Sequence, residues 1–125
     1  MTDSIDRLYE AVLAVKNTDP GVSRTARLLR SGRAKITKKL AEEAVEVVID
    51  AMNGDRDAVT RESADLLYNL VVVWADAGIR PADVWKEMGR REQLFGLAEK
   101  LAKHHMSGKR RIKAPALGAR RLHHR

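Results

Sequence analysis

The chain has 125 residues, of which 33% are charged and only 4% aromatic, and its formal net charge is +7. That length suits one domain with a single core, short enough for a partner subunit to complete it. Cysteine is absent, which excludes a disulfide framework, thiolate catalysis and zinc–thiolate sites and makes a reducing compartment, the cytoplasm, the expectation.

Asp3, Asp6 and Glu10 stand where a secretory leader would be basic and then apolar, and no apolar run approaches the roughly 20 residues that span a bilayer. Ile5, Leu8, Val12 and Val15 recur at helical spacing and predict a first helix over about 3–17, stopped by Asp19, Pro20 and Gly21. Ser23 suits the N-cap of a short second helix carrying Ala26, Leu28 and Leu29, ended by Ser31 and Gly32. A third helix is predicted from about Ala34 to Met52, with Ile36, Leu40, Ala44, Val47, Val48 and Ala51 as its apolar stripe.

Asn53 and Gly54 break that helix, and Asp55 can cap a fourth that reaches about Ala77. Its later half is apolar almost all round, from Leu66 to Trp74, as in a buried helix. Gly78 closes it, Pro81 opens a fifth helix, and Val84, Trp85, Met88, Leu94, Leu97 and Leu101 carry that helix to about Ala102. The β-branched runs Val47–Ile49 and Val71–Val73 lie inside longer helical patterns and show no two-residue alternation, so an all-α domain over 1–102 is expected.

Residues 103–125 hold eight Lys or Arg and no acid, leaving 16 basic against 17 acidic side chains in residues 1–102. The basic excess therefore belongs to a tail, which reads as disordered and does not dictate the function of the domain. The adjacent pairs His104–His105 and His123–His124 are poor metal sites, because neighbouring side chains on a helix diverge by about 100°.

The acids carry the chemistry. Glu42, Glu43, Glu46 and Asp50 lie on the third helix, Glu62 and Asp65 on the fourth. Glu43 and Glu46 are three residues apart, as are Glu62 and Asp65, so each pair projects from one side of its helix. If the hairpin reverses at Gly54, residues whose numbers sum to about 108 face each other, and Glu46 with Glu62 and Glu43 with Asp65 both meet that condition. Four converging carboxylates in a partly buried cleft repel unless neutralised, and a hard divalent cation with a preference for oxygen, Mg²⁺, is the natural remedy.

Just upstream, Arg24, Arg27, Arg30, Arg33, Lys35, Lys38 and Lys39 place seven cations in sixteen residues. Lys35, Lys38 and Lys39, nearest the acids, are the candidates for binding substrate phosphate while the acids hold the metal. No glycine-rich phosphate loop is present and no histidine lies near Ser63 to activate it, so a side-chain nucleophile is not expected. Attack of water on phosphorus, with metal charge neutralising the phosphates, remains.

The run Glu42, Glu43, Ala44, Val45, Glu46 followed by Glu62, Ser63, Ala64, Asp65 resembles the E-E-x-x-E and E-x-x-D signature of the MazG-like all-α nucleotide pyrophosphohydrolases. From Ser23 to about Lys103, the G-x-x-K-I-x-K-K lead-in at Gly32–Lys39, the N-G-D-R turn and the stretches ESADLLYNLVVV and GLAEK resemble the phosphoribosyl-ATP pyrophosphohydrolase branch.

The resemblance implies a helical bundle completed by dimerisation, with Glu43, Glu46, Glu62 and Asp65 as catalytic metal ligands. It also implies Mg²⁺-dependent hydrolysis of phosphoribosyl-ATP to phosphoribosyl-AMP and pyrophosphate, the second step of histidine biosynthesis. Three positions depart from the pattern: Arg24 replaces an aromatic, Ala41 a glycine and Asn69 a histidine. Asn69 lies four residues after Asp65 on the same helical face, where it is a candidate substrate contact that cannot exchange protons as histidine does. The departures keep open a paralogue acting on another nucleoside triphosphate. A non-catalytic nucleic-acid-binding helical module, its basic tail following a phosphate backbone, and an inactive interaction protein are the readings from other classes.

Overall fold

The structure, a computed structural model, describes residues 3–106, without the side chains of 97, 98 and 103–106. Five helices run in order: α1 (Ser4–Ala14), α2 (Arg24–Arg30), α3 (Arg33–Met52), α4 (Arg56–Ala77) and α5 (Pro81–Met106). The described residues contain no strand, and the fold is all-α. By its contacts the described chain divides after Trp85 into two compact units.

In the first unit each helix begins on a side-chain cap or a glycine. Asp3 accepts from Asp6 N at 2.8 Å, Ser23 from Ala26 N at 3.1 Å and Asp55 from Ala58 N at 3.0 Å, each satisfying a donor that the first helical turn leaves unpaired. Gly32, at φ 98°, opens α3 without a side-chain cap, a conformation that costs glycine little and other residues more. α1 stops three residues short of the expected end. Asp19 then organises the connection to α2: its carbonyl accepts from Val22 and Ser23 and its carboxylate from Gly21, a local turn that competes with continued helix. α4 closes on Gly78 in the left-handed region, with Ile79 N donating to Trp74 O at 2.9 Å, the six-to-one bond of a Schellman ending.

α3 and α4 form the hairpin on which the rest is built, and they pack more extensively than any other pair. The core joins Tyr9 and Val12 of α1, Ile36 of α3, and Val71, Val72, Trp74 and Ala75 of α4, with Ile5, Leu8, Leu28, Leu29 and Val84 packed around it. Ile36, Val71 and Val72 are sealed from solvent, and each such side chain contributes roughly 1.5–3 kcal/mol on burial. Trp74 meets Trp85 edge to face, centroids 6.1 Å apart, an arrangement favoured by the ring quadrupoles.

Two expectations need correction. Tyr9, absent from the predicted α1 stripe, is buried. The predicted α3 stripe is only half interior: Ile36 is buried and Leu40, Ala44 and Val47 are half-buried, but Val48 and Ala51 lie exposed. Val45, Val48, Ile49 and Met52 form a second apolar stripe on the solvent side of the same helix.

In the second unit α5 continues to Met106, four residues beyond the expected end. Glu87 there accepts from Arg90 at 2.7 Å and from Arg91 at 2.9 Å, and these hydrogen bonds hold its carboxyl down at about 2. Both guanidiniums are exposed, so the cluster adds little to stability. The basic tail expected over 103–125 lies, from residue 107 onward, outside the described residues.

Candidate active site

The hairpin sets the geometry. Asn53 and Gly54 reverse the chain, with Gly54 at φ 70°, its N–H bonded to Ala51 O, and Asp55 N bonded to Asp50 O. At the far end of the two helices Arg33 grips Asp76 twice, Nε to the carboxylate at 2.8 Å and Nη2 to the carbonyl at 3.2 Å. Arg33 opposite Asp76 and Glu43 opposite Asp65 keep the predicted pairing to within one residue along the whole hairpin.

The acids meet as two overlapping sets. Carboxylate oxygens of Glu43, Glu62 and Asp65 lie within 4.8 Å of one another, and so do those of Glu46, Asp50 and Glu62. Glu62 is common to both. The predicted four are thus brought to one place, but Glu46 joins through Glu62 and brings Asp50 with it. Asp50, one turn beyond Glu46 on the same face, is visible in the sequence as an acid but has no mirrored partner across the turn, so spacing alone gives no reason to include it.

The electrostatics reflect the crowding. Oε1 of Glu62 is cut off from solvent, and no backbone N–H, hydroxyl or cationic side chain donates to it. Its carboxyl is pushed above its ordinary 4.5, chiefly by the hydrogen bond shared with Glu43, then by loss of water and by the charges of Glu43, Asp65 and Glu46. An acid whose folded-state value is raised binds more protons folded than unfolded, so folding stability falls as pH rises above 4.5 through the raised value. A melting series on metal-free protein should show this decline, and Glu62→Gln should flatten it; an unchanged slope in that variant would place the repulsion elsewhere.

Beside the acids lies a cleft of about 370 Å³ lined by Arg24, Thr25, Lys39, Glu43, Asp65, Tyr68 and Asn69. A second, of about 330 Å³, shares Arg24, Lys39, Tyr68 and Asn69 and adds Arg27, Ser31 and Lys35. The shared residues join an acidic end to a basic one. Lys39 sits at the junction, 3.5 Å from Glu43. Of the three predicted phosphate-binding lysines, Lys35 and Lys39 line the clefts, whereas Lys38 lines neither and is exposed.

Sequence reasoning missed two contributors. Thr25 Oγ1 and Tyr68 OH share a hydrogen bond of 2.6 Å that ties α2 to α4 across the cleft wall, and nothing in residue spacing signals a contact 43 positions apart. Arg24, counted among the seven upstream cations and as a departure but not among the lysines singled out for phosphate, lines both clefts.

Residues 5–92 match the family described as phosphoribosyl-ATP pyrophosphohydrolase. The chain belongs to this family. A phosphoribosyl-ATP pyrophosphatase 2 of Bradyrhizobium diazoefficiens is 62% identical over 121 residues, covering 97% of this chain and 90% of its own length. A protein of the same name from Rhodopseudomonas palustris is 69% identical over 103 residues, 82% of this chain and 79% of its own. The phosphoribosyl-ATP pyrophosphatase of Azospirillum brasilense is 54% identical over 99 residues, 79% of this chain and 89% of its own. The family span takes in every acid of the two sets and every residue lining the two clefts.

Proposed function

We propose that this member of the phosphoribosyl-ATP pyrophosphohydrolase family hydrolyses the α–β phosphoanhydride of phosphoribosyl-ATP, releasing phosphoribosyl-AMP and pyrophosphate, the second step of histidine biosynthesis. The observation that carries the reading is the junction of five carboxylates on one helical hairpin with a cationic cleft that α2 helps to line, inside the span that matches the family.

The donor set fits Mg²⁺. The oxygens are hard and anionic, and Glu62 offers an oxygen with neither solvent nor partner, a costly state that a cation relieves. Glu43, Glu46, Glu62 and Asp65 would hold the metal, with Asp50 adjoining. When bound, Mg²⁺ supplies charge neutralisation on the phosphates undergoing displacement. The chain's own groups do the rest. Arg24, Arg27, Lys35 and Lys39 bind phosphate oxygens by charge-assisted hydrogen bonds and orient the chain of phosphates along the cleft. Lys39, paired with Glu43, keeps the acidic end from repelling its anionic substrate. Water attacks phosphorus, the bridging P–O bond breaks and pyrophosphate leaves.

The direct test is pyrophosphate release with Mg²⁺, with phosphoribosyl-ATP set against ordinary and modified nucleoside triphosphates. Preference for phosphoribosyl-ATP by at least a hundredfold in kcat/KM is the expected result. Equal or better turnover of another triphosphate would move the chain to a different nucleotide while keeping the site.

A homodimer is part of the same reading. Val45, Val48, Ile49 and Met52 are 54%, 60%, 47% and 83% exposed and share the face of α3 turned away from Ile36. An exposed apolar stripe on so small a protein calls for a covering surface, and a second copy supplies an identical one by twofold symmetry. Val48→Asp should give a folded monomer in sedimentation or light scattering; a dimer of unchanged affinity would exclude this face. No described helix is long and apolar enough to cross a membrane, in keeping with a cytoplasmic site for a biosynthetic enzyme.

A further inference from the structure

We propose that Asn69 reads a ribose hydroxyl of the bound nucleotide through its side-chain oxygen, and thereby favours substrate that carries that hydroxyl. This rests on the pyrophosphohydrolase reading and names what one residue of that site recognises.

Asn69 is 3% exposed and is the one buried polar residue among those described, yet it lines both clefts. Its Nδ2 donates to the carbonyl of Asp65 at 2.8 Å. That bond fixes the amide, because a carbonyl only accepts and the nitrogen must face it. Oδ1 then points the other way, out of reach of solvent and without a partner. Buried acceptors in folded proteins are almost always paired, and an unpaired one on a cleft wall marks a place where a ligand brings the missing donor.

The nature of the donor is reached by elimination. Phosphate and carboxylate oxygens carry no proton to give near neutral pH. A divalent cation is drawn to the charged oxygens of Glu43 and Asp65 over a neutral amide. None of the donors lining the clefts with it, the Thr25 and Tyr68 hydroxyls, Arg24 or Lys39, donates to Oδ1 in the structure; Thr25 and Tyr68 are hydrogen-bonded to each other and Lys39 leans to Glu43. A nucleotide offers ribose hydroxyls and an amino group on its base. Asn69 stands one helical turn, about 6 Å along α4, from Asp65, so it flanks the position of the reacting phosphates. The ribose is joined directly to the α-phosphate and reaches that flank, whereas the base amino group lies farther out.

The discriminating experiment measures kcat and KM of the unaltered protein on phosphoribosyl-ATP and on its 2′-deoxy and 3′-deoxy counterparts, then repeats the set with Asn69→Leu. One deoxy substrate should lose about tenfold in kcat/KM, the scale of one neutral hydrogen bond, mostly through KM. Asn69→Leu should lose a similar factor on the parent and nothing further on that deoxy substrate. The unaltered protein suffices for the first comparison, so a variant that fails to fold does not rescue the idea. Equal turnover of all three substrates, or an undiminished ribose preference in Asn69→Leu, overturns it. So does a loss that appears on removing the base amino group in place of a hydroxyl, or a fall in Mn²⁺ affinity of the variant, which would assign Oδ1 to the metal. Turnover without discrimination would sink this inference alone; no turnover of phosphoribosyl-ATP would sink the proposed activity and this inference with it.

Discussion

Glu62→Gln should lower Mg²⁺-dependent kcat/KM by a factor on the order of a thousand or more while raising the melting temperature of the metal-free protein at neutral pH. Both halves come from one fact: Glu62 belongs to both acidic sets, and its carboxyl is crowded by Glu43, Asp65 and Glu46. Glutamine keeps the shape and removes the charge. Without metal that relieves repulsion; with metal it withdraws the ligand both sets share. Glu46→Gln should also cut turnover severely, but with a smaller stability gain, because Glu46 is the last and smallest cause of the crowding at Glu62. Assay and calorimetry on the same samples decide between the outcomes. A Glu62→Gln protein that is inactive but no more stable would break the link between repulsion and metal affinity, and full activity would remove Glu62 from the ligand set.

Ile36→Ala should destabilise the fold by about 2–5 kcal/mol, the range for deleting a large aliphatic side chain from a core. Ile36 is 1% exposed, in the cluster where α1 and α4 meet α3. Out of a total stability of roughly 5–15 kcal/mol this is a large share, and the melting temperature should drop by about 10 °C or more. Chemical unfolding read at Trp74 and Trp85 reports it directly. A loss below about 1 kcal/mol would mean that the site collapses around the smaller side chain.

The reach of sequence reasoning is uneven for physical reasons. Helix existence and most boundaries are legible because caps and breakers act locally: Ser23, Asp55, Gly78 and Pro81 do in the structure what their chemistry suggests. The meeting of Glu43 with Glu62 and Asp65 is legible because a short turn converts helical periodicity into a pairing rule. Periodicity fails on α3, where apolar residues occupy two faces and spacing alone does not say which is interior; Val48 and Ala51 fall on the unexpected side for that reason. Asp50 is legible as an acid of the third helix but not as a member of the cluster, because mirrored positions across the turn single out only acids with a counterpart, and Asp50 has none. The Thr25–Tyr68 bond and the buried amide of Asn69 arise from docking α2 against α4 and from which side of α4 is covered, and neither is encoded in neighbouring residues.

The Asn53–Gly54 turn has a consequence for how the protein comes into being. Glu43 and Asp65 are only 22 positions apart, so every acid of both sets lies on one contiguous stretch of chain that needs a single reversal to assemble. Contacts this local carry a small loop-closure cost and form early. The hairpin can therefore bring these carboxylates together while α5 is still being synthesised, and a cation held there, as proposed above, would act as a fastener on that piece of structure.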